Sequence, residues 1–511
     1  MQVSRKPKKI AAIAAMMAML STTSIAAQMD SHKTEFKNFP KAKNIIFFVG
    51  DGMGVSTVTA SRIFSVGIDG ELTMDQFPHT ALSKTYTADH ITPDSAGTMT
   101  AMMTGVNANS GVIGFGAETE RQDFNNNGNG ERLWTLLEMA KQAGKKVGVV
   151  STARVTHATP AACYAHVNER NQENAIALQA LPTDATYNER LEDGIDLLMG
   201  GGRRYFTPSG MTDEEGESGS RGDGRDLRKE FQDAGYTYVW NQSGFDSLAK
   251  EDLPILGLFE RSHMEYEYDR PNDLGGEPSI EEMLKKSIAL LENNKGYFLM
   301  VEAGRIDHAH HAGNAFRALT DTEAFDKAIE AAVNKVDLRD TLIIVTADHS
   351  HVFNIAGYPM RKPADLQYNI GTAPASYLDN DMPHQHDGIF DVAYDISAGS
   401  GSISTSTDSN GIPYTILGYH NGPGYRSGPR IDPTVDPFPG LTGANTQNPD
   451  AFGNTGSEHT QYLQEAAVPL GSETHAAEDV AIYGIGPQSW LVHGTVKNTH
   501  IFDVMKSAFK Y

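Results

Sequence analysis

The chain has 511 residues, 39% hydrophobic and 21% charged, enough to bury a substantial core in one large or two modest domains. Its formal charge of −23 disfavours phosphate backbones and anionic membranes, so neither nucleic-acid-specific binding nor a membrane surface is expected. Cys163, the one cysteine, has no partner for an internal disulfide, and its apolar neighbours predict a buried, inert thiol.

In chain order, Arg5, Lys6, Lys8 and Lys9 precede an apolar stretch from Ile10 to Leu20 and then Ser24-Ile25-Ala26-Ala27. These are the three regions of a secretory signal, expected to cover residues 1–27. The stretch is too short for a permanent membrane helix, and no later stretch qualifies. The protein is therefore expected to be exported, to the periplasm or the extracellular space. Loss of those four basic residues takes the charge from −23 to −27. Any anionic substrate of so acidic a protein needs a locally cationic site, which metal ions can supply.

Four short apolar runs follow, each ending in polar residues with chemical potential. Asn44 to Val49 ends in Gly50-Asp51-Gly52, and Lys146 to Val150 ends in Ser151-Thr152. Tyr297 to Val301 ends in Glu302, and Thr341 to Thr346 ends in Ala347-Asp348-His349. Runs of this length and β-branched character are typical of buried parallel strands. Helical patterns lie between them at Leu133–Ala143, Ser279–Asn293 and Thr320–Val336, and Ser279-Ile280-Glu281-Glu282 reads as a helix start. The expected fold is α/β: a doubly wound, mostly parallel central sheet flanked by helices. Ligands of such sheets bind beyond the carboxyl ends of the strands, where three of these four runs deliver a candidate metal ligand.

Between those strands, Asp94-Ser95-Ala96-Gly97-Thr98 offers a serine hydroxyl, a poor nucleophile until its proton is removed or neutralised. Asp307 and His311 stand four apart in Asp307-His308-Ala309-His310-His311, so one helix face can present both to one cation. Glu302, five residues earlier, can face a second ion. Asp348 and His349 can share a metal only if the strand has already turned into a loop. Asp51 lies in a glycine-rich turn that is equally at home as an ordinary turn. On spacing alone His475 is an isolated histidine, and Arg170 is either a phosphate fork or a surface pair.

Two segments imitate functional loops. Asp123 to Gly128 opens like an EF-hand, but its twelfth position is Trp134 where a glutamate is required. Gly200-Gly201-Gly202-Arg203 follows an apparently helical Ile195–Met199, which predicts a helix C-cap turn. From Val352 to Pro469 the chain becomes rich in Gly, Ser, Asn, Pro and Tyr. This segment reads as an insertion (352–469) between core parts 28–351 and 470–511, forming a lid or crown, a dimer contact, or a spacer.

Together the motifs Asp51-Gly52-Met53-Gly54, Asp94-Ser95-Ala96, Ala158-Thr159-Pro160-Ala161-Ala162, Glu302…Asp307…His311, Thr346-Ala347-Asp348-His349 and Thr474-His475 resemble those of bacterial alkaline phosphatases from about Lys43 onward. The resemblance implies hydrolysis of small phosphate monoesters by a homodimer holding two zinc ions (Zn2+) and one magnesium ion (Mg2+) per subunit. It makes Ser95 the residue phosphorylated in turnover and Arg170 the phosphate clamp. Asp307, His311 and His475 would hold one zinc, and Asp51, Asp348 and His349 the second. Asp51, Thr159 and Glu302 would hold magnesium. His157, His308 and His351 would stand beside these ligands, and the first two positions vary within the family. Glu260, after Phe259, faintly resembles a calcium site of animal relatives and is not counted as a ligand.

Alternatives within the superfamily are a phosphodiesterase or a phosphonate or sulfate ester hydrolase. Sulfatases need a Cys/Ser-x-Pro-x-Arg setting, which Ser95-Ala96-Gly97 does not provide. Diesterases usually carry a threonine nucleophile and lack a third metal site, whereas Thr159 and Glu302 are present. A secreted metal-binding protein without catalysis is the remaining, more remote, alternative.

Overall fold

The computed structural model describes residues 41–124, 130–359, 388–396, 403–434, 457 and 459–509. The expected signal peptide, part of the EF-hand-like loop and stretches of the expected insertion lie outside the described residues.

The first strand, β1 (Asn44–Gly50), is buried on both faces, and helix α1 (Val55–Val66) follows it. Then come β2 (His79–Lys84), α2 (Ser95–Thr104), α3 (Leu136–Gln142), β3 (Lys146–Arg154) and the short α4 (Ala158–Ala161). Strands β4 (Leu197–Gly201), β5 (Thr237–Val239) and β6 (Ile255–Leu258) lead to α5 (Ile280–Leu291), β7 (Tyr297–Ala303), α6 (Arg305–His311), α7 (Ala315–Lys335) and β8 (Thr341–Ala347). The remaining strands are β9 (Ser350–His351), β10 (Phe353–Ile355), β11 (Tyr394–Ile396), β12 (Ile403–Thr405), β13 (Leu417–Gly422), β14 (Ala466–Pro469), β15 (His475–Ala476), β16 (Val480–Ile485) and β17 (Gly494–Lys497), before α8 (Thr499–Ala508).

Ten strands form the central sheet in the order β17-β2-β16-β8-β1-β7-β3-β4-β6-β5. Every described pairing in it is parallel except those of β16, which runs antiparallel to both β2 and β8. The expected fold class is therefore observed. Alternate residues of β1 serve opposite layers: Ile45, Phe47 and Val49 pack into one core, Ile46 and Phe48 into the other. Burial on both faces is why this strand reads as an unbroken apolar run.

Register then fixes the site. Gly50 aligns with Ala303 on β7 and Ala347 on β8, while Val49 and Ser151 both align with Glu302. The polar residues that end these four strands thus meet along one edge.

Two local expectations need correction. Ile195–Met199 does not build a helix, because Leu197, Leu198 and Met199 are buried in strand β4. The glycines that follow are required by close packing rather than by a helix end: a Cβ on Gly200 would lie 2.6 Å from the Ser151 carbonyl oxygen. Helix α7 begins at Ala315, five residues before the predicted Thr320, because the Asn314 side chain accepts from the Arg317 N–H and caps it.

Beyond β8 the chain builds smaller sheets: β10-β13-β14, the hairpin β11-β12, and the pair β15-β9. Phe353, Phe390, Ile416 and Tyr419 from this region pack on Phe64 of α1 and Phe316 and Leu319 of α7.

The predicted start of α5 is present as a reciprocal capping box between Ser279 and Glu282. Replacing Ser279 by alanine is expected to cost about 1 kcal/mol in urea denaturation. An unchanged midpoint would mean that packing alone holds this helix end.

Candidate active site

Ser95 opens α2, and the Asp94 carboxylate caps that helix by accepting from the Gly97 N–H at 3.2 Å. Asp94 also accepts from the Gly111 N–H and from Arg170 Nη1, both at 2.9 Å. The arginine is thereby fixed beside the serine. Ser95 Oγ lies 3.1 Å from His349 Nε2 and 3.4 Å from Asp51 Oδ1.

The residues following β1 and β8 converge around that hydroxyl. The strand does turn after Ala347, which lets Asp348 and His349 face the same point: His349 Nε2 is 3.3 Å from Asp348 Oδ2 and 3.4 Å from Asp51 Oδ1. Asp348 Oδ1 accepts from the Gly52 N–H at 3.0 Å. Gly52 has φ +68°, and a Cβ there would stand 2.3 Å from His351 Nε2. Only glycine satisfies both the left-handed backbone and that approach.

A second group forms beside it. His311 Nε2 and His475 Nε2 each lie 3.3 Å from Asp307 Oδ1 and 3.1 Å from one another. Their other ring nitrogens face backbone carbonyls, His311 Nδ1 to Glu473 O at 2.6 Å and His475 Nδ1 to Pro93 O at 2.8 Å. A carbonyl only accepts, so each Nδ1 carries the proton and each Nε2 is bare in the neutral ring. Two lone pairs and a carboxylate oxygen pointing at one place suit a cation.

The third group holds Asp51, Thr159 and Glu302. Asp51 Oδ2, Glu302 Oε1 and Thr159 Oγ1 are buried without a hydrogen-bond partner, as is Asp348 Oδ2. His157 offers a ring nitrogen within 4.8 Å of the Asp51 and Glu302 oxygens. Buried oxygens left unpaired are costly, and a hard cation such as magnesium prefers such oxygen donors. The residues present therefore fit both kinds of metal.

Electrostatics agree. Burial, with Asp348 and Asp307 nearby, pushes the Asp51 carboxyl well up. Burial likewise raises Asp348, and lifts Glu302 to about 7 against the hydrogen bond from Ser151. Burial pushes His349 well below the usual imidazole range, which leaves it neutral as a ligand must be.

All eight expected ligands meet in these three groups. His351 is different: burial opposes its charge, but Glu473 and Asp307 raise it to about 9. It bridges them through Nδ1 to Glu473 Oε2 at 2.5 Å and Nε2 to Asp307 Oδ1 at 2.8 Å. It therefore stands next to Asp307 and within reach of the second donor group. Glu473 was missed, although it lies two residues before His475. His310 was unassigned too; it joins Thr57 Oγ1 at 2.9 Å to Tyr419 OH at 2.7 Å. His263, packed against His157 and His308, has no local signal at all.

Elsewhere, Glu215, Glu260 and Asp273 bring carboxylate oxygens within 4.8 Å of one another beside Trp240. Glu260, not counted as a ligand above, is thus part of an acidic cluster. Among the described residues, no helix is long and apolar enough to cross a membrane.

Donor groups arranged around a buried serine at a sheet edge define a metal-dependent hydrolase. The chain belongs to the alkaline phosphatase family, whose sequence profile matches residues 42–511. It is 39% identical over 492 residues to the tissue-nonspecific alkaline phosphatase of Homo sapiens, covering 91% of this chain and 83% of that one. It is also 39% identical over 496 residues to the alkaline phosphatase of Gadus morhua, covering 92% of each. The crystal structure of Thermus thermophilus alkaline phosphatase superposes with a TM-score of 0.62 at 26% identity, covering 92% of both chains.

Crowded carboxyls with raised pKa contribute stability below their unfolded values and lose it as pH rises through the folded ones. For Glu302 that window runs from 4.5 to about 7. Asp307 works the other way. The neighbouring histidines outweigh burial and hold it well below the usual range, so its contribution is lost only in acid. Chelator-treated protein is expected to lose melting temperature between about pH 4.5 and about pH 7 relative to protein reloaded with zinc and magnesium. A gap between the two that fails to widen would contradict this charge assignment.

Proposed function

We propose that this phosphatase hydrolyses phosphate monoesters through a covalent phosphoserine at Ser95. The observation that carries the reading is the buried Ser95 hydroxyl within 3.4 Å of both Asp51 and His349, with Arg170 held alongside by Asp94. Ser95 Oγ forms a bond to phosphorus as the bond to the ester oxygen breaks, and the alcohol leaves with a proton. Water then cleaves the phosphoserine, restoring the hydroxyl and releasing inorganic phosphate.

Arg170 neutralises phosphoryl oxygen charge, and its pairing with Asp94 sets the guanidinium before substrate arrives. Burial keeps bulk water from the nucleophile. Asp307, His311 and His475 would hold one zinc ion, Asp51, Asp348 and His349 another, and Asp51, Thr159 and Glu302 magnesium. When bound, these ions supply Lewis acidity toward the attacking and leaving oxygens. Ser151 and the backbone carbonyls of Pro93 and Glu473 keep the donors oriented.

The leader-like residues support export, with residues 1–27 removed, to the periplasm or beyond. The family resemblance supports a homodimer. Residues 352–469 would be an insertion serving as a lid or crown or a dimer contact; within it, Tyr419 hydrogen-bonds His310, next to His311.

Ser95→Ala is expected to lower turnover of an aryl phosphate by at least about a thousandfold while zinc content stays at the wild-type value. Undiminished turnover would dispose of the phosphoserine. In parallel, chelator should abolish phosphate release from the monoester, and an aryl diester should be a far poorer substrate; equal rates on the two would favour the diesterase alternative.

A further inference from the structure

Beside Arg170 lies a group of side chains that the proposed reaction does not use. The rings of His157 and His263 are 5.3 Å apart, those of His263 and His308 3.9 Å, and those of His157 and His308 5.6 Å. Each ring meets a guanidinium: Arg170 Nη2 lies 3.2 Å from His157 Nε2, Arg154 Nη1 contacts His263 Nε2, and Arg305 Nη1 lies 3.3 Å from His308 Nδ1.

A guanidinium can only donate, so the ring nitrogen facing it accepts and the ring's proton sits on the opposite nitrogen. In His263 that places an N–H at Nδ1, which is buried without a partner. Arg305 Nε is also buried without a partner. Unspent donors in this number, around positive charge, call for an acceptor that the protein does not provide.

Charge bookkeeping singles out one residue. Arg154 is matched by a two-pronged pair with Glu173 at 2.8 Å for each prong, and Arg170 by Asp94. Arg305 lies against the Tyr266 ring at 3.7 Å and makes no direct ion pair among the described residues; the carboxyl it influences, Asp321, is pushed up to about 8 by burial despite that arginine, which leaves it largely uncharged near neutrality. Arg170 contacts His157 while Arg305 contacts His308, and those two rings are 5.6 Å apart, so the two guanidiniums meet different rings of the group. Arg305 and the three histidines all keep partial exposure, as befits a wall of the site rather than core.

We propose that Arg305 and His263 form a subsite for a second anionic group on the substrate, so that preferred substrates are phosphate monoesters whose leaving alcohol bears a carboxylate or a further phosphate. This rests on the phosphomonoesterase reading above. Arg305 would supply the charge, and His263 Nδ1 a directional donor.

The test compares full-length, metal-loaded wild type with Arg305→Gln and His263→Asn on phenyl phosphate, 4-carboxyphenyl phosphate and 1,3-propanediol bisphosphate. Wild type is expected to favour the two charged substrates. Each variant should lose about tenfold in kcat/KM on them, mainly through KM, with phenyl phosphate altered by less than about twofold. Arg305→Lys should recover part of the loss. Metal content and melting temperature identify a misfolded variant, in which case the other substitution carries the comparison. Equal losses on all three substrates, or an unchanged ratio with phenyl phosphate turnover intact, would overturn the subsite alone. Absence of wild-type turnover on phenyl phosphate would remove the subsite together with the reading beneath it.

Discussion

Four carboxylates, Asp51, Glu302, Asp307 and Asp348, are buried close enough at one sheet edge to repel one another. In a medium of low polarity that repulsion is severe, and it can be relieved by protonation or by cations. His311 and His475 tilt the balance toward cations, because backbone carbonyls hold their protons on the side away from Asp307. Much of the surrounding structure follows from keeping these groups in place against that repulsion.

The anchoring comes from distant parts of the chain. Pro93, just before the nucleophile, holds the His475 ring, and Glu473 holds His311 by its carbonyl and His351 by its carboxylate. His351 in turn donates to Asp307, and Val352 donates to Glu473. His475, which lies outside the main sheet on the short β15-β9 pair, is thereby tied to the same rigid edge as Asp51. Geometry at this precision needs support behind each donor as well as the donors themselves.

On the other flank, the arrangement changes sign. Three guanidiniums, each against an imidazole, form a basic wall in a protein whose overall charge is strongly negative. Long-range repulsion of anions by the surface is thus answered locally by the arginines, and would be answered further by cations held in the donor groups. In the proposed reaction Arg170 would meet the phosphoryl group, and Arg305 would extend the same attraction outward.

The amino-acid sequence alone determined the strand–helix alternation, because strands buried on both faces must be apolar throughout and their polar ends then stand out. It also revealed Asp307 and His311, whose pairing is a local property of one helix turn. It misjudged Leu197–Gly201, where a short apolar run has no periodicity to separate helix from strand. Thr159, Arg170 and His475 became expected site residues only through their resemblance to a family, since no local spacing relates them, whereas Asp51 was already marked by its place at a strand end. Tertiary structure decided which of these meet, through the register of β1 with β7 and β8. It alone disclosed Glu473 and His263, whose neighbours are far away in the chain, because a side chain's charge environment is set by contacts in space, and separation along the sequence does not encode them.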